Sequence, residues 1–272
     1  MRIKLTDKKF LIRIYGTIGL FGSIASIVAL AISLPGWWKL LSVLFAVIPI
    51  LAILIIFFRV ANQKSASFRI NQIEINVKEG DIFKEDKDSI NVIPFNEYYD
   101  VIVDNIIIAE KSLHGLYIKK KWNGIEDELN TRIQNDSILS KYKAQLNANR
   151  PVGNKQKYVL GSVISIDNYV LTALSHFSDD NKAYLSYSDY IEFLGSFWRH
   201  IDEVYANRTI NIPVFGSGIT RIESKRPSMQ KLIETILWSI KDSDFQGKRI
   251  NILISKGDLE KVDFYHLEPT LY

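Results

Sequence analysis

Four short segments of this chain carry residue types that can grip a nucleotide. Gly80-Asp81-Ile82-Phe83 closes an alternating stretch. A carboxylate there can accept a hydrogen bond from an exocyclic amine such as adenine N6, although Gly-Asp also simply builds turns. Val92-Ile93-Pro94-Phe95-Asn96 is an apolar run ending in Asn. An amide at the carboxyl end of a buried strand points into the crevice where open α/β sheets bind ligands, and it both donates and accepts, as a ribose diol requires. The bland alternative is an Asn that caps a turn. Ile212-Pro213-Val214-Phe215 feeds Gly216-Ser217-Gly218-Ile219. Glycines let backbone approach a phosphate, and successive N–H groups form an anion nest. No Gly-Lys-Ser/Thr follows, and Arg221 stands where a Rossmann fingerprint needs its third glycine. The fourth segment is Ser112-Leu113-His114-Gly115, after the apolar Asn105–Ala109. It reads as a ligand-closing loop or as a structural histidine. A G-x-S-x-G nucleophile elbow is absent.

The elements that must position these segments alternate in type. Phe68–Val77 has the partial period-two pattern of a strand, and Ser89–Phe95 reads as a buried one. Ile125–Asn149 has helical character up to Arg150-Pro151. Lys157–Ile166 and Tyr169–Phe177 predict a hairpin about Asp167-Asn168. Tyr187–Asn207 is a helix with Ile191, Leu194, Trp198, Ile201 and Val204 on one face. Thr209–Phe215 is a strand, Pro227–Ser239 an amphipathic helix and Arg249–Ser255 a last strand. Strands alternating with helices, plus one hairpin, make an α/β domain with a mixed sheet.

That domain does not account for the whole chain of 272 residues. No charge occurs between Ile14 and Leu34 or between Leu40 and Phe58. Each run matches the roughly 20 apolar residues that a bilayer core requires. Pro35–Lys39 joins them, with Trp37 and Trp38 at headgroup level. Basic residues flank the outer ends (Arg2, Lys4, Lys8, Lys9 and Arg13 before, Arg59, Lys64 and Arg69 after), while only Lys39 lies between. The expectation is therefore a two-pass hairpin over 1–62 in a bacterial inner membrane, with both termini and the 63–272 domain cytoplasmic. The lipid bilayer is then a partner. A cleaved signal peptide ending at Ala29-Leu30-Ala31 is the alternative. Gly16, Gly19, Gly22, Ser23 and Ser26 form a small-residue stripe suited to close helix packing, within or between chains.

Charge and composition exclude other classes. Residues 70–272 hold 25 basic and 29 acidic side chains, so nucleic acid is not an expected partner. With no cysteine, thiolate metal sites and cysteine nucleophiles are excluded. His114, His176, His200 and His266 lack metal-ligand spacing, so no metal is expected.

The order Gly-Asp-Ile, then Asn96, then Gly-Ser-Gly-Ile resembles a macro domain over about residues 68–255. The resemblance implies a three-layer α/β fold that binds an ADP-ribose-type nucleotide and needs no cofactor. Asp81 would meet the adenine amino group and Ile82 a neighbouring backbone contact. Asn96 would sit near the distal ribose, and Gly216, Ser217, Gly218 and Ile219 at the diphosphate. Two departures stand out. Ile93 replaces the family's first Asn, and Glu97-Tyr98-Tyr99-Asp100 replaces its glycine-rich loop. Loss of that loop argues for a receptor without catalytic residues, although Asp100 or His114 could be advanced as a general base. Tyr98, Tyr99 or Asp100 could instead read an attached amino acid, with Ser112–Gly115 closing over it.

With the apolar runs, the chain is similar to the membrane-anchored macro-domain effectors of the bacterial Thoeris antiphage system. That implies a NAD-derived signal, a histidine–ADP-ribose conjugate made by a TIR-domain enzyme. It also implies a homo-oligomer that damages the inner membrane. A membrane-anchored ADP-ribosyl hydrolase and a passive recruiter of ADP-ribosylated proteins are the alternatives.

Overall fold

The computed structural model describes residues 8–31, 48, 51–59, 62–178, 181–218, 221–222 and 227–267. Two compact units divide the chain, Met1–Lys64 and Ser65–Tyr272.

In the first unit, α1 runs Lys8–Ala31 and residues 51–59 form α2. Among the described residues no helix is long and apolar enough to cross a membrane. This overturns the two-pass inner-membrane placement. α1 opens on Lys8, Lys9 and Arg13, and Gly16, Gly19, Gly22, Ser23 and Ser26 punctuate its apolar run. Ser23 and Ser26 return their hydroxyls to the carbonyls of Gly19 and Gly22 at 2.8 and 2.9 Å. The Pro35–Lys39 link and most of the second apolar run lie outside the described residues.

The second unit is α/β with a mixed sheet. Its strands are β1 (Ser65–Ile70), β2 (Ile73–Glu79), β3 (Ile90–Asn96), β6 (Val163–Ile166), β7 (Tyr169–Phe177), β8 (Ala183–Leu185), β9 (Ile210–Pro213), β10 (Arg221–Ile222) and β11 (Arg249–Ile254). They are ordered β1-β2-β11-β9-β3-β7-β8-β10, with β6 also on β7. β2, β11, β9, β3 and β7 are mutually parallel. β4 (Lys143–Leu146) and β5 (Gln156–Tyr158) make a separate ribbon.

Successive residues of a strand face opposite sides, so the sheet builds two cores. Val92, Ile212 and Ile252 pack with α5 (Tyr187–Ile201) and α6 (Met229–Asp242) through Phe193, Phe197, Ile233 and Ile236. Ile93, Phe95 and Leu171 pack with α3 (Leu113–Lys121) and α4 (Glu126–Asn135) through Tyr117, Ile118, Leu129 and Ile133. Three layers result. α5 starts at a capping box, with Ser186 accepting from the Asp189 amide and Asp189 accepting in return.

Several elements differ from their sequence expectation; among them, the Tyr187–Asn207 helix ends at Ile201, and the Lys157–Ile166 strand divides into β5 and β6. The single strand over Phe68–Val77 is a β1–β2 hairpin. Asn71 and Gln72 take φ of 46° and 70°, the left-handed pair that a two-residue hairpin turn requires. The helix expected to reach Asn149 stops at Asn135, where Asp136 is extended. The Ser112–Gly115 segment opens α3 instead of forming a loop: the Ser112 side chain caps it by accepting from the Gly115 amide at 3.0 Å.

Candidate functional site

The parallel strands deliver their carboxyl ends to one crevice, a cavity of about 1060 Å³. Asp81 follows β2, Ser255 follows β11, Phe215–Gly218 follows β9, and Asn96 ends β3. Ser175 and Phe177 of β7 and Ala183 of β8 complete that wall, and Asn105–Ala109 with Ser112, Leu113 and His114 forms another. Strand order therefore puts the Gly216–Gly218 turn between the Asp81 end and the Asn96 end. From β2 to β3 is three strand spacings, roughly 14 Å.

Each expected residue has a definite place. Asp81 is exposed, and its carboxylate accepts from the Phe83 amide at 3.1 Å, with Lys84 Nζ at 3.8 Å. Ile82 is buried and joins the second core while lining the cavity. Gly216 has φ +78°, the left-handed third position of a type II turn closed by the Ser217 amide on the Val214 carbonyl at 3.1 Å. The Ser217 amide is thus spent within the turn, so the run of N–H groups expected at Gly216–Gly218 is broken at its middle residue. Gly218 is exposed on the cavity wall. Ile219 lies outside the described residues.

The Asn96 end is more committed than the sequence suggested. The Asn96 amide donates to Asp100 Oδ2 at 2.9 Å, and its oxygen accepts from the Tyr98 and Asp100 amides. It lines the cavity with one N–H left for a ligand. Asp100 does not line the cavity. Its carboxylate is fully buried and held by Arg150 through two 2.8 Å hydrogen bonds. A cationic ligand group would have to displace that guanidinium, so the expected reading role for Asp100 is corrected. Tyr98 and Tyr99 are buried too. The Tyr99 hydroxyl donates to the Ser162 carbonyl at 2.7 Å, and the Tyr98 ring lies under Arg150. Gly115 packs behind the wall, where a Cβ would strike the Ala109 carbonyl.

His114 lines the cavity as a neutral ring. Its Nε2 donates to the Asp100 carbonyl at 2.8 Å, and its ring stacks on Phe95 at 3.5 Å between centroids. Burial lowers its pKa from 6.5 to about 3. His176 has the opposite bias: a hydrogen bond to the Glu97 carboxylate raises its pKa against the effect of burial. Burial disfavours ionisation of Glu97, but His176 and Lys157 outweigh it and hold that carboxyl below its ordinary value.

The linkage signs follow. Below pH 6.5 the unfolded chain takes up a proton at position 114 that the folded chain refuses, so stability falls towards acid. The His176 contribution is complete below pH 6.5 and is lost as pH rises through the raised value, whereas that of Glu97 is present above pH 4.5 and is lost as pH falls through its lowered value. His114→Gln is therefore expected to flatten the acid limb of melting temperature against pH, and His176→Gln the alkaline limb. The acid limb carries up to about 1.4 kcal/mol per pH unit for one proton. Unchanged limbs in scanning calorimetry would contradict both assignments.

Sequence reasoning missed Arg150, Asn181 and the Asn105–Ala109 wall. Only the Asp104-Asn105 pair hinted at the last. Asp104 accepts from the Ile106 and Ile107 amides at 2.8 and 2.7 Å, and Asn105 has φ +62°.

A family model described as "Thoeris protein ThsA, Macro domain" matches residues 75–255. The Thoeris protein ThsA of Bacillus amyloliquefaciens (strain Y2) is 33% identical over 221 residues, covering 79% of this chain and 74% of that protein. A point mutant of the Oceanobacillus iheyensis macrodomain is similar at TM-score 0.45 and 16% identity, over 73% of this chain and 94% of that one. The same macrodomain with ADP gives 0.44 and 15%, over 72% and 92%. At those scores the likeness to solved structures carries no argument of its own.

Proposed function

The chain belongs to the Thoeris ThsA macro-domain family, and from that premise we propose that it is a receptor in antiphage defence that binds an ADP-ribose-type nucleotide and assembles when occupied. The single observation that carries this reading is the shared crevice: Asp81, Gly216–Gly218 and Asn96, from three separate crossovers, line one cavity. In this reading Asp81 accepts from the adenine amino group, beside the Ile82 backbone. The Gly216 and Gly218 amides meet the diphosphate, and the remaining Asn96 N–H meets the distal ribose. Ser112, Leu113 and His114 wall the far end. The signal we assign is a histidine–ADP-ribose conjugate supplied by a TIR-domain enzyme. Occupancy can drive homo-oligomer formation only through a higher affinity of the assembled state for that signal.

Two observations favour a receptor over an ADP-ribosyl hydrolase. A general base must be free to take a proton near pH 7. Asp100 is tied to Arg150, and burial lowers the His114 pKa to about 3, which leaves its ring too weak a base to take a proton near pH 7.

Calorimetry and mass photometry of the purified full chain with NAD, ADP, ADP-ribose and the histidine conjugate test the reading. The conjugate is expected to bind and raise the particle mass, while ADP-ribosylated substrates stay intact. Absence of binding across the panel would refute the receptor, and turnover would make the protein a hydrolase.

A further inference from the structure

One buried guanidinium is linked, directly or through Asp100, to three residues of the cavity wall. Arg150 is 5% exposed and forks onto Asp100, with Nη1 to Oδ1 and Nη2 to Oδ2 both at 2.8 Å. Its Nη2 also donates to Asn181 Oδ1 at 3.0 Å, and its plane stacks 3.8 Å from the centre of the Tyr98 ring. Asp100 in turn accepts from the Asn96 amide and, through its main-chain carbonyl, from His114. Asn96, His114 and Asn181 all line the cavity, on the side of the Gly216–Gly218 turn away from Asp81.

The loop that carries Arg150 is shaped around the same carboxylate. The Asn154 amide donates to Asp100 Oδ1 at 2.8 Å. Gly153 has φ +86°, and a Cβ there would lie 2.5 Å from Asp100 Oδ1 and 2.8 Å from Arg150 Nη1. Only glycine lets the backbone come so close. Buried ion pairs are weak net stabilisers, since desolvation offsets their attraction. Their geometry is stiff, and a bidentate fork fixes both partners in orientation as well as distance.

We infer that Arg150 is a positioning residue: acting through Asp100 and Asn181, it sets the cavity end that receives the part of the nucleotide beyond the diphosphate. This rests on the receptor reading. It follows that Arg150 controls affinity for a ligand with a distal ribose and is silent towards one that stops at the diphosphate.

ADP and ADP-ribose separate those cases. In calorimetry with the full chain, Arg150→Met is expected to weaken ADP-ribose at least about tenfold and to leave ADP within about twofold, the signature of lost preorganisation at one end. Arg150→Lys keeps the charge without the fork and should fall between wild type and Arg150→Met. A folded variant that loses both nucleotides equally, or keeps wild-type affinity for ADP-ribose, overturns the inference. Should Arg150→Met fail to fold, Arg150→Lys and Asn181→Ala are read by the same ratio, and an unchanged ratio in both overturns it. Wild-type protein that binds none of ADP, ADP-ribose and the histidine conjugate refutes the receptor reading itself, and the inference with it; where the conjugate alone binds, the roughly tenfold loss in Arg150→Met is read on the conjugate, and wild-type affinity there overturns the inference.

Discussion

Gly218→Val is expected to abolish nucleotide binding while leaving the fold intact. The reasoning starts from space. A Cβ added at Gly218 meets nothing within 4 Å, and the residue has no left-handed φ, so the native backbone tolerates the side chain. The valine would instead occupy cavity volume beside the turn that we assign to the diphosphate. Loss of that approach should weaken ADP-ribose at least about 100-fold, or roughly 2.7 kcal/mol. The melting midpoint should move little. Gly216 makes the contrast: at φ +78° a side chain is strained, and its Cβ would collide with Ile222 Cδ1. Gly216→Val should lower the midpoint as well as binding. Wild-type affinity for ADP-ribose in Gly218→Val, read by calorimetry, would remove the turn from the site.

The parts of this molecule that were legible in the sequence are those governed by local pattern. The Asp167-Asn168 turn and the Leu194, Trp198 and Ile201 part of the apolar stripe of α5 are each written in a few neighbouring residues, and both are found, although α5 ends before Val204 and also buries Tyr190, Phe193 and Phe197. The three strand-end segments are similarly local, and right-handed crossovers bring such ends to one edge of a parallel sheet. Contacts between distant segments were not legible. Nothing near Arg150 announces that a carboxylate 50 positions earlier needs it, because a buried ion pair leaves no periodicity. Asn91 is a buried polar residue in the apolar β3. It stands in register with Asn211, Asn251 and Asn76 on adjacent strands, and linked side-chain amides pair them. The Asn71-Gln72 turn was hidden for a simpler reason: without glycine, its positive φ values leave only a faint mark.

Cutting the buried pair from its acidic side should be the most damaging single change to stability. Asp100→Ala leaves the Arg150 guanidinium inside the protein, 5% exposed, with no countercharge. Removing one partner of a buried pair costs about 3–5 kcal/mol. The loss should be asymmetric. Arginine cannot shed its proton in a protein, whereas a stranded carboxyl can take one up and keep donors such as the Asn96 side chain and the Asn154 amide. Arg150→Met should therefore destabilise less than Asp100→Ala, and its deficit should shrink as pH falls and the orphaned carboxyl is neutralised. Methionine also fills part of the arginine's volume over the Tyr98 ring. Urea unfolding of both variants at two pH values measures this directly. Equal losses with no pH dependence would mean that Asp100 and Arg150 are not a closed ionic unit. The cavity wall they share would then have to be held by the surrounding hydrogen bonds of Asn96, Asn154 and His114 alone.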